Sequence, residues 1–122
     1  MAKRKKEYYV YVIGLKPEFA QTKKAKKQNP NFLPGLNKRC YYVGYTSKTP
    51  EERYKQHITE YVNKKGHKIS SSVVVKYGYT KNGLRPSQYD RYNPIDSKIE
   101  AEKLEVYLAI RLRKKGHCVY QK

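Results

Sequence analysis

The stretch CYYVGYTSKTPEERYKQH, residues 40–57, brings together side chains that could act on a phosphate group. A tyrosine-rich run containing Tyr42 ends at Gly44, and Arg53 and His57 follow four residues apart on a predicted helix. Residues at this spacing share one helix face. Arginine offers a forked, permanent positive charge, and histidine exchanges a proton near neutral pH. Each residue alone also has an ordinary interpretation: a packed strand tyrosine, a turn glycine, a surface arginine and a helix histidine.

Glu105 is a carboxylate at a position where an apolar residue is expected. A lone ionised carboxylate in an apolar helix face is costly unless it is paired, protonated or bound to a cation. Two interpretations stay open: a salt bridge to one of the many basic residues, or a ligand for a hard cation such as Mg²⁺. Val106 and Ile110 are apolar outside this face, which is consistent with a helix covered on two sides. The apolar stripe around Glu105 consists of Ala101, Leu104, Leu108, Ala109 and Leu112.

The charge of the chain is strongly one-sided. Its 122 residues include 28 Lys and Arg against 10 Asp and Glu, a formal net charge of +18. Charge of one sign on this scale repels itself unless a polyanion neutralises it, and the basic residues recur along the whole chain. We therefore expect a nucleic acid as partner, DNA in the first place with RNA also allowed. An anionic membrane surface or simple solubilisation is the alternative.

The cellular compartment is predicted from what the sequence lacks. No apolar run is long enough to span a bilayer. The basic start and the short apolar run after it are similar to a signal peptide, but the run contains three tyrosines and no small-residue cleavage site follows. Cys40 and Cys118 lack metal-ligand spacing and are too few for a disulfide scaffold, so we expect both to be reduced and semi-buried. These features predict a cytoplasmic protein without a membrane partner, nucleoid-associated if bacterial.

The elements that would position the candidate residues follow from propensity and capping. Residues 8–15 and 39–45 are β-branched and aromatic and predict two strands, most simply an antiparallel pair. Residues 16–38 between them hold three prolines and a lysine cluster. They predict a long basic connection with a helical turn or two around 17–27, which either touches phosphates or is a solvated, mobile loop. The pattern Thr49-Pro-x-Glu52 is typical of a helix start, and this helix is predicted to run to about residue 63 and stop near Gly66.

The middle of the chain is less clearly patterned. The valine run in residues 69–78 favours a strand, whereas its serine-rich start and closing glycine favour a short helix, which we prefer. Residues 79–94 predict a loop with a short strand near 83–89.

The last helix is strongly signalled. Asp96 or Ser97 caps its start, acidic residues fill its first turn, basic residues fill its last turn and Gly116 closes it. Residues 117–121 then predict a short terminal strand or an extended tail.

These elements predict an α+β fold with a small central antiparallel sheet of about three strands flanked by helices. The length predicts one domain over residues 1–122, with a basic N-terminal tail at 1–6 and a basic insertion at 16–38.

Taken together, the residues resemble the GIY-YIG nuclease family over nearly the whole chain and in the right order. Tyr9-Val10-Tyr11 stands where the family has Gly-Ile-Tyr, and Tyr42-Val43-Gly44 stands where it has Tyr-Ile-Gly. The run YVGYTSKTPEERYKQH, which contains Arg53 and His57, is the most specific piece, and Glu105 lies within EAEKLEVYLAIRLR.

Three departures from the family pattern stand beside this resemblance. Tyr9 replaces the first glycine, and the connection between Tyr11 and Tyr42 is far longer than is usual. Many members also end with an asparagine that supports the site, where this chain has Gln121 as a possible substitute.

The resemblance implies a GIY-YIG-like fold and an endonuclease that hydrolyses DNA phosphodiester bonds with one divalent metal, Mg²⁺ or Mn²⁺. It implies that Glu105 holds the metal, that Arg53 holds the phosphate and that Tyr42 orients water or phosphate. Either Tyr11 or His57 would serve as the general base, and the sequence leaves that choice open. The five candidate catalytic residues are Tyr11, Tyr42, Arg53, His57 and Glu105.

The rival hypothesis is a non-catalytic basic module that binds nucleic acid, either a degenerate nuclease or an unrelated protein. For the endonuclease, specificity would come from loops 16–38 and 64–95, from dimerisation or from DNA structure. Both a monomer and a homodimer stay open. The basic residues expected to contact nucleic acid are Lys23, Lys24, Lys26, Lys27, Lys38, Arg39, Lys48, Lys64 and Lys65.

Overall fold

A computed structural model describes residues 7–30, 32, 38–58, 72–79 and 81–121. Within these ranges the architecture is α+β, as predicted. The strands are β1 (Tyr9–Leu15), β2 (Cys40–Thr46) and β3 (Cys118–Gln121). The α-helices are α1 (Lys23–Gln28), α2 (Pro50–Ile58), α3 (Ser72–Tyr77) and α4 (Lys98–Lys114), and short 3₁₀ helices lie at Pro17–Gln21, Pro86–Gln88 and Asp90–Tyr92.

The three strands form one mixed sheet in the order β1-β2-β3. β1 and β2 are antiparallel, with Tyr11 opposite Gly44 and Ile13 opposite Tyr42, whereas β3 runs parallel to β2 with Tyr120 beside Tyr42. The prediction of an antiparallel sheet is therefore wrong for β3. The reason lies in the connection: α4 lies between β2 and β3, and a helical crossover of this kind returns the chain to the same end of the sheet.

Side chains alternate between the two faces of the sheet. The first face carries Tyr11, Tyr42 and Tyr120. On this face, the ring of His57 from α2 contacts Tyr11 and Tyr42. Tyr45 projects from the second face and donates a hydrogen bond to Glu102 of α4 at 3.0 Å. The sheet therefore lies between α2 and α4.

The predicted caps of α2 and α4 are confirmed. Thr49 Oγ1 accepts from the N–H of Glu52 at 3.2 Å and donates to its carboxylate at 3.0 Å. Ser97 Oγ accepts from the N–H of Glu100 at 3.1 Å, and Gly116 follows α4 with φ of +90°. The predicted end of α2 near residues 63–66 lies outside the described residues. The preference for a helix within 69–78 is confirmed by α3.

The predicted short strand near 83–89 is wrong. Leu84 makes a single bridge to Ile13, and the N–H of Arg85 donates to the carbonyl of Val12 at 2.9 Å. A 3₁₀ helix then begins at Pro86, which has no N–H to continue the ladder along β1.

The insertion between β1 and β2 is docked on the sheet where it is described. Asn29 is 7% exposed, its side-chain N–H₂ donates to the carbonyl of Val119 at 2.8 Å, and its Oδ1 accepts from the N–H of Val119 at 2.8 Å. This amide completes the free edge of β3 as a further strand would, so a mobile loop is the wrong description for residues 16–30. Across the described residues, no helix has the length and apolar character needed to cross a membrane.

Candidate active site

A hydrogen bond between Tyr11 and His57 is the centre of the candidate site. The Oη of Tyr11 lies 3.1 Å from Nε2 of His57. Tyr11 is 1% exposed and His57 is 0% exposed, so the bond is removed from bulk water. β1 supplies the tyrosine, and the second turn of α2 supplies the histidine.

Tyr42 completes a small aromatic cluster around this bond. Its ring centroid lies 6.0 Å from that of Tyr11 and 5.4 Å from that of His57, with an edge-on orientation towards the histidine. On its other side Tyr42 stacks on Tyr120 of β3 at 5.8 Å. Tyr120 was missed as a member of the site, because only the parallel pairing of β3 with β2 brings it there.

Gly44 leaves the space that the Tyr11 hydroxyl occupies. It faces Tyr11 in the register of β1 and β2, and a Cβ built at this position would lie 2.7 Å from the Tyr11 Oη. Any side chain here would have to displace the phenol. The glycine that closes the second half-motif is thus required by close approach of a side chain, and not by a turn, since the strand continues to Thr46.

Arg53 contributes a positive charge beside the Tyr11 phenol. Burial raises the pKa of Tyr11 well above its usual value, and the neighbouring Tyr42 raises it further. The guanidinium of Arg53 opposes this shift through its charge and a side-chain hydrogen bond, but the balance still favours the neutral phenol. Arg53 also donates from Nη1 to Oε1 of Gln56 at 3.0 Å, which fixes its side chain along α2.

Glu105 is buried on α4, as the apolar stripe predicted, and it is 8% exposed. Its carboxylate helps to raise the pKa of Tyr45, after burial of that phenol and the hydrogen bond and charge of Glu102. Tyr11 is connected directly to Tyr42, Arg53 and His57, and Glu105 lies close enough to Tyr45 for its charge to act on that phenol. Val106 and Ile110 are each 45% exposed, so the described residues do not cover a second side of α4.

The candidate site residues could hold a divalent cation only if oxygen atoms of the substrate also bind it. Among the described residues, no group of three or more His, Cys, Asp or Glu side chains could hold a metal ion. Mg²⁺ needs only one or two protein carboxylates when water and phosphate oxygens fill its other positions. Glu105 with a bound phosphate fits that pattern, and a site built from protein ligands alone does not.

Gln121, the residue standing where the family has asparagine, is held by its backbone. Its N–H donates to Oε1 of Gln28 at 2.8 Å, and its carbonyl accepts from Nε2 of Gln28 at 2.9 Å. Its register partner is Val43, so its side chain projects from the second face of the sheet, with Tyr45.

The basic residues predicted to contact nucleic acid are exposed wherever the structure describes them. Lys38 is tied to the end of α4, since its Nζ donates to the carbonyl of Lys115 at 3.0 Å. Lys64 and Lys65 lie outside the described residues. The exposed set comprises Lys23, Lys24, Lys26, Lys27, Lys38, Arg39 and Lys48.

Cys40 and Cys118 are free thiols, fully buried where semi-burial was expected, and they are paired across β2 and β3. A hydrogen bond from the Cys118 thiol lowers the pKa of Cys40, and the same bond, together with burial, raises the pKa of Cys118.

Comparison with known proteins gives no match to a protein-family model, to a curated protein or to a solved structure, so the function of this chain has to be argued from the residues and contacts described above.

Proposed function

We propose that this chain is a Mg²⁺- or Mn²⁺-dependent DNA endonuclease of the GIY-YIG type. The observation that carries the proposal is the buried Tyr11–His57 hydrogen bond at 3.1 Å, with Arg53 and Tyr42 beside it. It joins a proton donor, a proton acceptor and a permanent positive charge, which are the groups that phosphodiester hydrolysis requires of a protein. The net charge of +18 supports a polyanionic substrate.

The direction of proton transfer follows from the pKa of Tyr11. Because that pKa is raised, the phenol is neutral at physiological pH and cannot serve as a base by itself. Its O–H donates to Nε2 of His57 when the imidazole is neutral with its proton on Nδ1. Tyr11 then acts as a relay: its oxygen takes a proton from the attacking water while its own proton moves to His57. The resulting hydroxide attacks phosphorus, and the bond to the leaving oxygen breaks.

Arg53 and Glu105 have the role of stabilising the negative charge on the phosphate. Arg53 binds non-bridging phosphate oxygens as charge builds up on them in the transition state. Glu105 is the carboxylate that would hold Mg²⁺ or Mn²⁺, and the ion supplies Lewis-acid stabilisation of the phosphate and the leaving oxygen. Tyr42 holds the phenol of Tyr11 and the ring of His57 in place by edge and face contacts.

A second candidate function is a non-catalytic module that binds nucleic acid. One observation favours it: Tyr11 is 1% exposed, so its hydroxyl has little access to a bound phosphate. In such a module the Tyr11–His57 bond is a core contact, and the exposed lysines of α1 account for all binding. The cytoplasm is the proposed location for either function.

Cleavage of supercoiled plasmid in Mg²⁺, in Mn²⁺ and in EDTA separates the two functions. We expect nicking with either metal and none with EDTA. Glu105→Gln should slow nicking by about a hundredfold or more while DNA binding is unchanged, because one electrostatic stabiliser is removed. Glu100→Gln, an exposed carboxylate at the start of the same helix, is the matched control and should nick at the wild-type rate. Full nicking by Glu105→Gln would exclude a role for Glu105 in metal binding. No nicking by the wild type would contradict the endonuclease and favour the non-catalytic binding module.

A further inference from the structure

A large cavity lies at the end of the sheet, apart from the Tyr11 cluster. Its volume is about 690 Å³, within the range of about 300–1,000 Å³ that is usual for small-molecule sites. It lies where β1 ends at Gly14 and Leu15, where β2 begins at Cys40 and against the inner side of α1. Gly14 is three residues along β1 from Tyr11, a distance of about 10 Å at the rise of a strand.

Among the described residues, basic side chains line the cavity and acidic ones do not. Lys26, Lys38, Arg39 and Arg85 are the four charged residues that line it, and its described lining contains no Asp or Glu. Such a lining attracts an anion and repels a cation.

Arg85 is held in place by several contacts. Its Nη1 donates to the carbonyls of Asn82 and Leu84, and its guanidinium carbon lies 5.8 Å from the ring centroid of Tyr79. The guanidinium also lies over the backbone of Gly14, where a Cβ would come within 2.6 Å of Nη2. A guanidinium fixed in this way loses little conformational freedom when it binds a phosphate.

Aromatic and apolar side chains form most of the remaining described wall, beside the polar Gln21 and Asn29. Tyr41, Tyr79 and Phe32 contribute rings, and Leu15 and neighbouring small residues contribute apolar surface. Tyr41 is itself braced by an edge contact with His117 at 5.2 Å between centroids. Rings with fixed cations beside them are the combination on which proteins stack nucleobases and hold the attached phosphates.

We propose that this cavity binds one nucleotide unit of a single-stranded stretch of nucleic acid, with its base among the aromatic rings and its phosphate on Arg85. The choice of ligand class rests on the proposed nucleic-acid function, but the cavity shares no residue with the Tyr11 cluster. Because the cavity takes an unstacked base, it favours strand ends, frays and bulges over intact duplex.

Binding of a labelled deoxytrinucleotide, followed by fluorescence anisotropy, tests the assignment. An abasic trinucleotide of equal charge is the ligand control. We expect the normal trinucleotide to bind at least about fivefold more tightly, the lower end of the effect of stacking one base. Equal binding of the two would overturn the proposal.

Variants locate the binding in the cavity. Tyr79→Ala should abolish the preference for the normal over the abasic ligand, and Arg85→Ala should weaken both. Lys103→Ala, an exposed residue of α4 outside the cavity, should leave the preference unchanged. A preference that survives in both folded cavity variants would place the base elsewhere and overturn the proposal.

A measurement on the unmodified chain avoids any dependence on variant folding. Cys40 and Cys118 are the only two cysteines, and both line the cavity. The normal trinucleotide should slow their alkylation by iodoacetamide, and the abasic one should do so less; equal rates would contradict the proposal. Base-dependent protection without plasmid nicking would support nucleotide binding in the cavity and contradict the proposed nuclease activity. Nicking without base-dependent protection would support the nuclease activity and contradict nucleotide binding in the cavity.

Discussion

Replacing Tyr11 by phenylalanine tests the hydrogen bond on which the site depends. The change removes one hydroxyl and keeps the ring that packs 6.0 Å from Tyr42. His57 is 0% exposed, so water cannot replace the lost contact at its Nε2 without opening the core. Loss of one partner of a buried hydrogen bond costs about 1–3 kcal/mol, and we expect the free energy of unfolding to fall by that amount.

Urea unfolding followed by circular dichroism measures this loss, and a matched substitution provides the reference. Tyr107→Phe removes a hydroxyl from a side chain that is 49% exposed. Its effect should stay within about 0.5 kcal/mol, as for most surface substitutions.

A double-mutant cycle with His57→Leu assigns the loss to the pair. If the two groups bond as described, the double variant is less destabilised than the sum of the single ones by about 0.5–3 kcal/mol. Strictly additive losses would refute the bond. In the same folded Tyr11→Phe variant, loss of the relay should slow plasmid nicking by about 10²–10⁴-fold, the usual contribution of general acid–base catalysis. A destabilised variant that nicks at the wild-type rate would reduce the pair to a core contact.

Three further predictions concern pH, backbone space and charge. Burial raises the pKa of Tyr11, so the contribution of Tyr11 to stability should be constant below about pH 10 and fall above it, where the unfolded chain releases this proton first. Urea titrations at several pH values above about 9 should show a smaller fall for Tyr11→Phe. Gly44→Ala places a Cβ 2.7 Å from the Tyr11 Oη and should cost about 1–3 kcal/mol of stability and slow nicking, whereas an unchanged thermal midpoint would contradict the close approach. DNA binding should weaken with salt, and Lys23→Ala with Lys27→Ala should reduce the slope of log K against log salt by about two, while the α4 pair Lys98→Ala with Lys103→Ala leaves it unchanged.

The helices and the first two strands could be predicted because their signals are local. The Thr49 and Ser97 caps, the valine- and tyrosine-rich strands and the stripe around Glu105 are each complete within a few residues. The helix spacing placed Arg53 and His57 on one face of α2, but the contact of His57 with Tyr11 depends on how α2 packs on β1.

The rest depends on contacts between distant parts of the chain. The direction of β3 is set by the crossover through α4, and Tyr120 joins the cluster only through that pairing. Asn29 bonds Val119 ninety residues away, and no pattern around it signals a docked insertion. The cavity combines residues from both ends of the chain, so its basic and aromatic lining is invisible to periodicity.

The central claim is that the cluster around Tyr11 is a hydrolytic site, and a matched pair of substitutions on α2 tests it most directly. Arg53→Ala and Lys55→Ala each remove one positive charge from the same helix. Arg53 acts on the Tyr11 phenol through its charge and a hydrogen bond, whereas Lys55 is an exposed residue. With saturating plasmid and Mg²⁺, Arg53→Ala should nick about 10²–10³-fold more slowly than the wild type, and Lys55→Ala should nick at the wild-type rate. Equal rates for the two variants, or a wild type that leaves the plasmid intact with both Mg²⁺ and Mn²⁺, would contradict the claim.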